Sequence, residues 1–283
     1  MKTPPRRHDV DTALANVTTA TRVREWRHGV SRVIGDHVVD EQPIALVYNG
    51  VSHVVMMATP EHLEDFALGF SLSEQILTSP QQLYDTEIHV REHGIEVAMR
   101  ISAARFAILK HARRNLTGRT GCGLCGAESL EQAVRAPTPA ADTAIFSHAA
   151  IEKAVAQLAD KQPLQAITGA VHGAAWCNRK GNIELLREDV GRHNALDKLY
   201  GALSHGKKTR DESLPGEHFI LISSRASYEM VIKAAAVGVE LLVAVSAPTK
   251  LAIDYAESAN ITLVGFARPG RHVVYTLPHR VTE

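Results

Sequence analysis

The sequence predicts an α/β protein: a parallel β-α-β-α-β unit at the C-terminal end, preceded by a smaller α+β part. Three observations carry this. Residues 218–223, 240–245 and 261–265 are short apolar runs of strand length. Between them, residues 227–238 and 249–260 place Val231, Ala234, Ala235 and Gly238, then Ala252, Tyr255, Ala256 and Ala259, at helical spacing. That alternation implies a parallel sheet with right-handed crossovers. Near the start, residues 44–48 and 51–57 flank Asn49-Gly50, a strong hairpin signal. Parallel sheets of this kind bind ligands beyond the carboxyl ends of their strands. Those ends are Ser223-Ser224-Arg225, Ser246-Ala247-Pro248 and Phe266-Ala267-Arg268.

Composition narrows the class. The chain has 283 residues, 45% of them hydrophobic, ample for a core. Lys+Arg and Asp+Glu both number 31, so any polyanion site is a local patch and no nucleic-acid partner is expected. Three cysteines make no disulfide framework and fit a reducing compartment. The N-terminal stretch has no apolar signal region, and no run approaches the roughly 20 apolar residues of a membrane helix. The reading is a soluble, cytoplasmic protein with no membrane partner.

In order, residues 1–22 read as a mobile tail, 23–115 as the α+β subdomain, 116–128 as a cysteine loop and 129–283 as the α/β core. Thr59-Pro60-Glu61 supplies a cap, a first-turn proline and an acid, opening a helix whose buried face is Leu63, Phe66, Ala67 and Phe70. A second hairpin spans 87–100, turning at His93-Gly94, and 106–114 reads as a basic helix. Ser129 to Gln132 forms a capping box. Residues 136–142 read as a linker, 147–161 as an Ala-rich helix, and 167–188 as two strands turning at 178–181. Asp189 is placed to cap a helix that buries Leu196, Leu199, Tyr200 and Leu203. Residues 206–217 read as a polar loop.

The cysteine loop, TGRTGCGLCG over 117–126, sets Cys122 and Cys125 among Gly118, Gly121, Gly123 and Gly126. Lys110, Arg113, Arg114 and Arg119 precede the thiols, and positive charge favours the thiolate. Four readings stand beside incidental cysteines. A dinucleotide fingerprint lacks its strand and its acidic partner. Half a zinc site lacks a second cysteine pair, since Cys177 stands alone, although His111 or His172 could complete one. A dithiol redox pair normally opens a helix after a strand. A sulfur-carrying thiolate needs accessibility and mobility, which glycines and cations supply.

Three further constellations are candidates. Along 187–198, Arg192, His193 and Asn194 sit near free helix N–H groups, a natural anion site, beside i, i+4 pairs His193/Asp197 and Asn194/Lys198. Ser223 to Ser227, with Arg225, suits a phosphate or a base edge, and Glu229 could accept from a guanine amino group, while Ser227 serves equally as a helix cap. Phe266, Ala267, Arg268, Pro269, Gly270 and Arg271 suit a pyrophosphate clamp, or else form a surface turn with solvated arginines. Trp176 and Cys177 read as packing.

Taken together, these segments resemble the FdhD/NarQ family of formate dehydrogenase accessory sulfurtransferases. The carriers are Asp65 to Phe70, Gly118 to Gly126, Thr168 to His172, Arg187 to Lys198, Arg225 to Met230 with Lys233, Ser246 to Pro248, and Leu263 to Phe266. The resemblance implies a cytidine-deaminase-like core and a homodimer. It implies that persulfide sulfur passes from a cysteine desulfurase to molybdenum cofactor in its bis-molybdopterin guanine dinucleotide form, a bound substrate, for formate dehydrogenase. On this likeness Cys122 bears the persulfide, Cys125 accompanies it, and Phe266 to Arg271 bind the cofactor; Arg225 and Ser227, read from their own strand-to-helix junction, are expected to join them. Ser224 and Ala170 stand where glycine is common in the family. The only C-x-x-C lacks the preceding proline of zinc deaminases, so no structural metal is expected. The alternative is a non-enzymatic zinc- or nucleotide-binding chaperone; a dithiol reductase is a third idea.

Overall fold

The computed structural model describes residues 14–114, 139–205 and 215–283. The cysteine loop, the capping box at 129–132 and most of the 206–217 loop lie outside these residues.

The C-terminal unit follows the sequence pattern closely. Strands β10 (His218–Ile222), β11 (Leu241–Ala244) and β12 (Thr262–Arg268) run parallel, joined by α6 (Tyr228–Val237) and α7 (Lys250–Ser258). The sheet they form is wider and mixed. Its order is β13-β12-β11-β10-β8-β9, with β8 (His172–Asn178), β9 (Ile183–Asp189) and β13 (Arg271–Val274) antiparallel to their neighbours. Ile167 and Thr168, read as the start of a strand, belong instead to a short helix α4 (Pro163–Thr168). Glu188 of β9 reaches across to accept from Leu164 N–H at 3.0 Å and Gln165 N–H at 2.8 Å, satisfying that helix start from outside the local sequence.

Alternation of side chains across the strands divides the core into two layers. Ile220, Ile222, Leu242, Ala244 and Leu263 face α6, α7 and α5 (Arg192–Ser204). Phe219, Leu221, Val243, Val264 and Ala267 face α3 (His148–Leu158). Ser147 caps α3 by accepting from Ala150 N–H at 3.1 Å. A short parallel pair, β7 (Phe146–Ser147) with β14 (Val281–Thr282), ties the end of the chain to the start of that helix.

The N-terminal part is a sheet of order β4-β3-β6-β5, built from β3 (Gln42–Tyr48), β4 (Val51–Ala58), β5 (Leu83–Arg91) and β6 (Gly94–Ile101). Both predicted hairpins form, and at the first Asn49 and Gly50 have φ of 46° and 80°, as a type I′ turn requires. β3 and β6 pair in parallel. Helix α1 (Leu63–Ser73) packs between this sheet and α5, and α2 (Ala103–Arg114) follows β6. Before them a hairpin of β1 (Thr18–Arg27) and β2 (Val30–Val39) turns at His28-Gly29, so regular structure begins inside the segment read as a tail. Trp26 at its far end is 72% exposed.

Helix α1 starts later than the sequence suggests. Its N-cap is His62, at φ 54°, not Thr59. Thr59 is buried and fully engaged elsewhere. Its N–H donates to Asp189 Oδ2 at 3.0 Å, its hydroxyl accepts from Val190 N–H at 3.2 Å, and its carbonyl accepts from Lys198 Nζ at 2.9 Å. Asp189 likewise is no helix cap. It ends β9 and accepts from Gly191 N–H, Asn194 Nδ2 and Thr59 N–H, while pairing with Lys198 at 2.7 Å. A long-range network has displaced both local caps.

Candidate functional site at the carboxyl edge of the sheet

The strand ends predicted to face a ligand do meet. Ser246 N–H donates to Ser224 carbonyl, Phe266 N–H to Ser246 carbonyl, and Ala226 bridges to Pro248. Gly265 permits this closeness, since a Cβ there would stand 2.8 Å from Pro248 Cδ. Arg225 is exposed on the rim. Ser227 occupies the N-cap position of α6, yet its hydroxyl makes no cap hydrogen bond; Oγ is shut from solvent with no partner.

Phe266 to Arg271 only partly joins this edge. Phe266 has φ 52°, and the register with β13 shifts there, so the strand kinks between Gly265 and Arg268. Ala267 turns into the α3 layer and is buried. Arg268, Pro269, Gly270 and Arg271 form an exposed hairpin tip, with the Arg271 guanidinium 5.7 Å from the Phe266 ring centre. That tip is held from the α3 side: Gly270 N–H donates to Glu152 Oε2 at 2.8 Å, and His272 lies 3.3 Å from Glu152 Oε1 and 2.7 Å from His148. Sequence reasoning missed Glu152 because its partner is 118 residues away.

The polar start of α5 behaves differently from its expected i, i+4 pairing. His193 turns to Glu229 of α6, with Nε2 to Oε2 at 2.8 Å. Asp197 turns to Lys233, and Asn194 and Lys198 both converge on Asp189. Helical spacing put these residues on adjacent turns, but two further elements supplied better partners. Gly191 has a packing reason: a Cβ there would stand 2.7 Å from Asn194 Nδ2. Cys177 is buried, and burial drives its thiol far above the ordinary range, so it is a packing residue. Cys122 and Cys125 lie outside the described residues, and among those residues no group of three His, Cys, Asp or Glu side chains could hold a metal ion.

A family model described as FdhD/NarQ matches residues 39–282. The chain belongs to the FdhD/NarQ family. It is 54% identical over 259 residues to the sulfur carrier protein FdhD of Cupriavidus necator, an alignment covering 92% of this chain and 88% of that one. The fold of this FdhD/NarQ member is shared with a crystal structure described as that of a formate dehydrogenase accessory protein from Desulfotalea psychrophila, at TM-score 0.70 and 24% identity. That likeness covers 94% of this chain and 99% of the other. The fold class read from the sequence holds, with the parallel unit as its centre.

Proposed function

We propose that this protein is a cytoplasmic sulfur carrier in formate dehydrogenase maturation. It takes persulfide sulfur from a cysteine desulfurase and passes it to molybdenum cofactor in its bis-guanine-dinucleotide form. The observation that carries this reading is the 54% identity, over 92% of the chain, to a protein named as a sulfur carrier. Cys122 is the acceptor: its thiolate attacks the donor's terminal sulfur, an S–S bond forms at Cys122, and the donor's S–S bond breaks to release the donor thiolate. Cys125 stands three residues away to assist release. Arg225, Ser227 and Phe266 to Arg271 hold the guanine nucleotide ends of the substrate, and two copies of the chain act as a homodimer. The geometry supports this reading through the convergence of Ser224, Ser246 and Phe266 at one sheet edge.

Incubation with a cysteine desulfurase and free cysteine should add the mass of one sulfur atom to the wild-type protein, removable by cyanide. Cys122→Ala should not acquire it. Retention of that sulfur and of formate dehydrogenase activation by the alanine variant would defeat the assignment. Zinc bound stoichiometrically through both cysteines in fresh protein would favour a cofactor chaperone instead.

A further inference from the structure

The ribbon of β1 and β2 has no part in the site at the sheet edge. Its root is packed, where Leu14, Val17 and Val39 meet Leu164, Ile167 and Val171. From there two strands of ten residues run out roughly 30 Å as a sheet of two. Trp26, Val30 and Val33 towards the tip are 72%, 64% and 64% exposed. A lone two-stranded hairpin is marginal in water. Open strand edges are normally protected by a proline, a bulge or a lysine. β2 has none of these: its residues, VSRVIGDHVV, pair with β1 in unbroken register. The two-residue turn closes on Arg27 and Val30, so Ser31, Val33, Gly35 and His37 direct their backbone N–H and C=O groups to the open edge. Among the described residues no further strand takes them up.

The order of residues along β2 fits a second β2. A two-fold axis through Ile34 sets Ile34 against Ile34, Val30 against Val38 and Arg32 against Asp36, while Ser31 meets His37 and Val33 meets Gly35 on the other face. The neighbouring registers fail. An axis at Val33 sets Val30 against Asp36, and one at Gly35 sets Ile34 against Asp36 and Arg32 against Val38. β1 is excluded by charge: an axis at Val23 sets Arg22 against Arg24, and one at either arginine sets it against itself. Opposite charges directly across a strand pair stabilise it and like charges destabilise it. Arg32 already pairs with Glu25 across the hairpin, so the partner's Asp36 extends an alternating row of charges. Such self-complementarity is what a two-fold interface requires. We propose that β2 is the surface through which two copies of this chain join, antiparallel about Ile34, making one four-stranded sheet in which each ribbon tip lies beside the partner's root. That the chain is a homodimer rests on the reading above; where the copies join does not.

The test is sedimentation velocity of the full chain over a range of concentrations, for wild type, Arg32→Glu, Asp36→Lys and an equal mixture of the two variants. Each variant alone sets like charges opposite at both symmetric pairs, so its dimer dissociation constant should rise about tenfold or more. The mixture sets opposite charges at both pairs again, and dimers should return; a misfolded variant would not be rescued in this way. Ile34→Cys in a Cys122→Ser/Cys125→Ser background should close a disulfide between copies on mild oxidation, and Val30→Cys should not. A wild-type dimer that both variants leave intact, with no disulfide at Ile34, overturns the β2 interface while the homodimer stands. Dimers lost in both variants and not regained on mixing overturn the register. A wild-type chain that stays monomeric at every concentration overturns interface and homodimer together, and leaves the open edge to a different protein. Persulfide formation at Cys122 is read separately by mass, so none of these results bears on the sulfur-carrier reading.

Discussion

Lys233 is the place to test how the two halves of the molecule are joined. Its ammonium is buried between α6, α5 and α1, within 2.8 Å and 2.9 Å of the two Asp197 oxygens and 2.8 Å from Ser73 Oγ. Asp197 is 1% exposed, and Ser73 also donates to it at 2.7 Å. Burial disfavours the charged lysine, but Asp197 and then Glu74 outweigh it and hold the ammonium charged. Lys233→Met keeps most of the aliphatic volume and leaves Asp197 without its counter-ion. Removing one partner of such a buried pair costs about 3–5 kcal/mol. Replacing both, as Asp197→Leu with Lys233→Met, should cost less than the sum of the two single changes by roughly 2 kcal/mol or more. Urea unfolding with linear extrapolation measures each, given a single transition. The single variant carries a pH signature as well. Burial raises Asp197 even with the lysine in place, and Lys233 is the main influence opposing it, so removing the lysine raises it further and the loss should be smaller near pH 5 than near pH 8. A Lys233→Met cost below about 1 kcal/mol, or strict additivity in the double variant, would refute this account of the junction.

Three other predictions follow from named contacts. Gly69 and Gly201 let α1 and α5 touch backbone to backbone, since a Cβ on either would stand 1.8 Å from the carbonyl oxygen of Asp197 or Asp65. Gly201→Ala should therefore cost about 3 kcal/mol or more in urea unfolding. His205 is raised by its hydrogen bond to Asp65, against burial, so its stabilising contribution is complete below about pH 6.5 and is lost as pH rises through its raised folded value. His205 is 46% exposed, so thermal melts from pH 6 to 9 should show a loss under about 1 kcal/mol that His205→Asn lacks. Cys177 should resist iodoacetamide in a Cys122→Ser/Cys125→Ser background until denaturant unfolds the chain, and peptide mass mapping would show this; labelling of the native protein at the rate of a free thiol would contradict its burial.

Local pattern was legible in the sequence. The Asn49-Gly50 turn, the apolar face of α1 and the alternating strands and helices after His218 are all where periodicity put them. The β1–β2 hairpin was not, because its strands mix charged and apolar residues and its turn is His28-Gly29. Strand β13 was hidden by a bulge at Phe266. The helix starts at Thr59 and Asp189 misled for one reason: a threonine or aspartate before an apolar run also suits a buried cross-link, and spacing cannot tell the two apart. At the strand ends, the sequence named Arg225, Ser227 and Phe266, but it could not show that Glu229 is taken up by His193 or that Glu152 pins the hairpin tip.

The sequence by itself determined the two hairpins at 44–57 and 87–100, the alternating strands and helices after His218 with the parallel order of β10, β11 and β12, and the family. These rest on periodicity, turn residues and motif order, which are properties of neighbours along the chain. Only the tertiary structure decided which charged groups are spent and which are left over. Asp189 with Lys198, Asp197 with Lys233 and His193 with Glu229 each join separate elements. Arg192 Nε and the Ser227 hydroxyl are among the atoms left without a hydrogen-bond partner in the described residues. A side chain's partner in a folded core is chosen by distance through space, and burial raises the stakes of that choice, so residues of similar appearance in the sequence end in opposite roles.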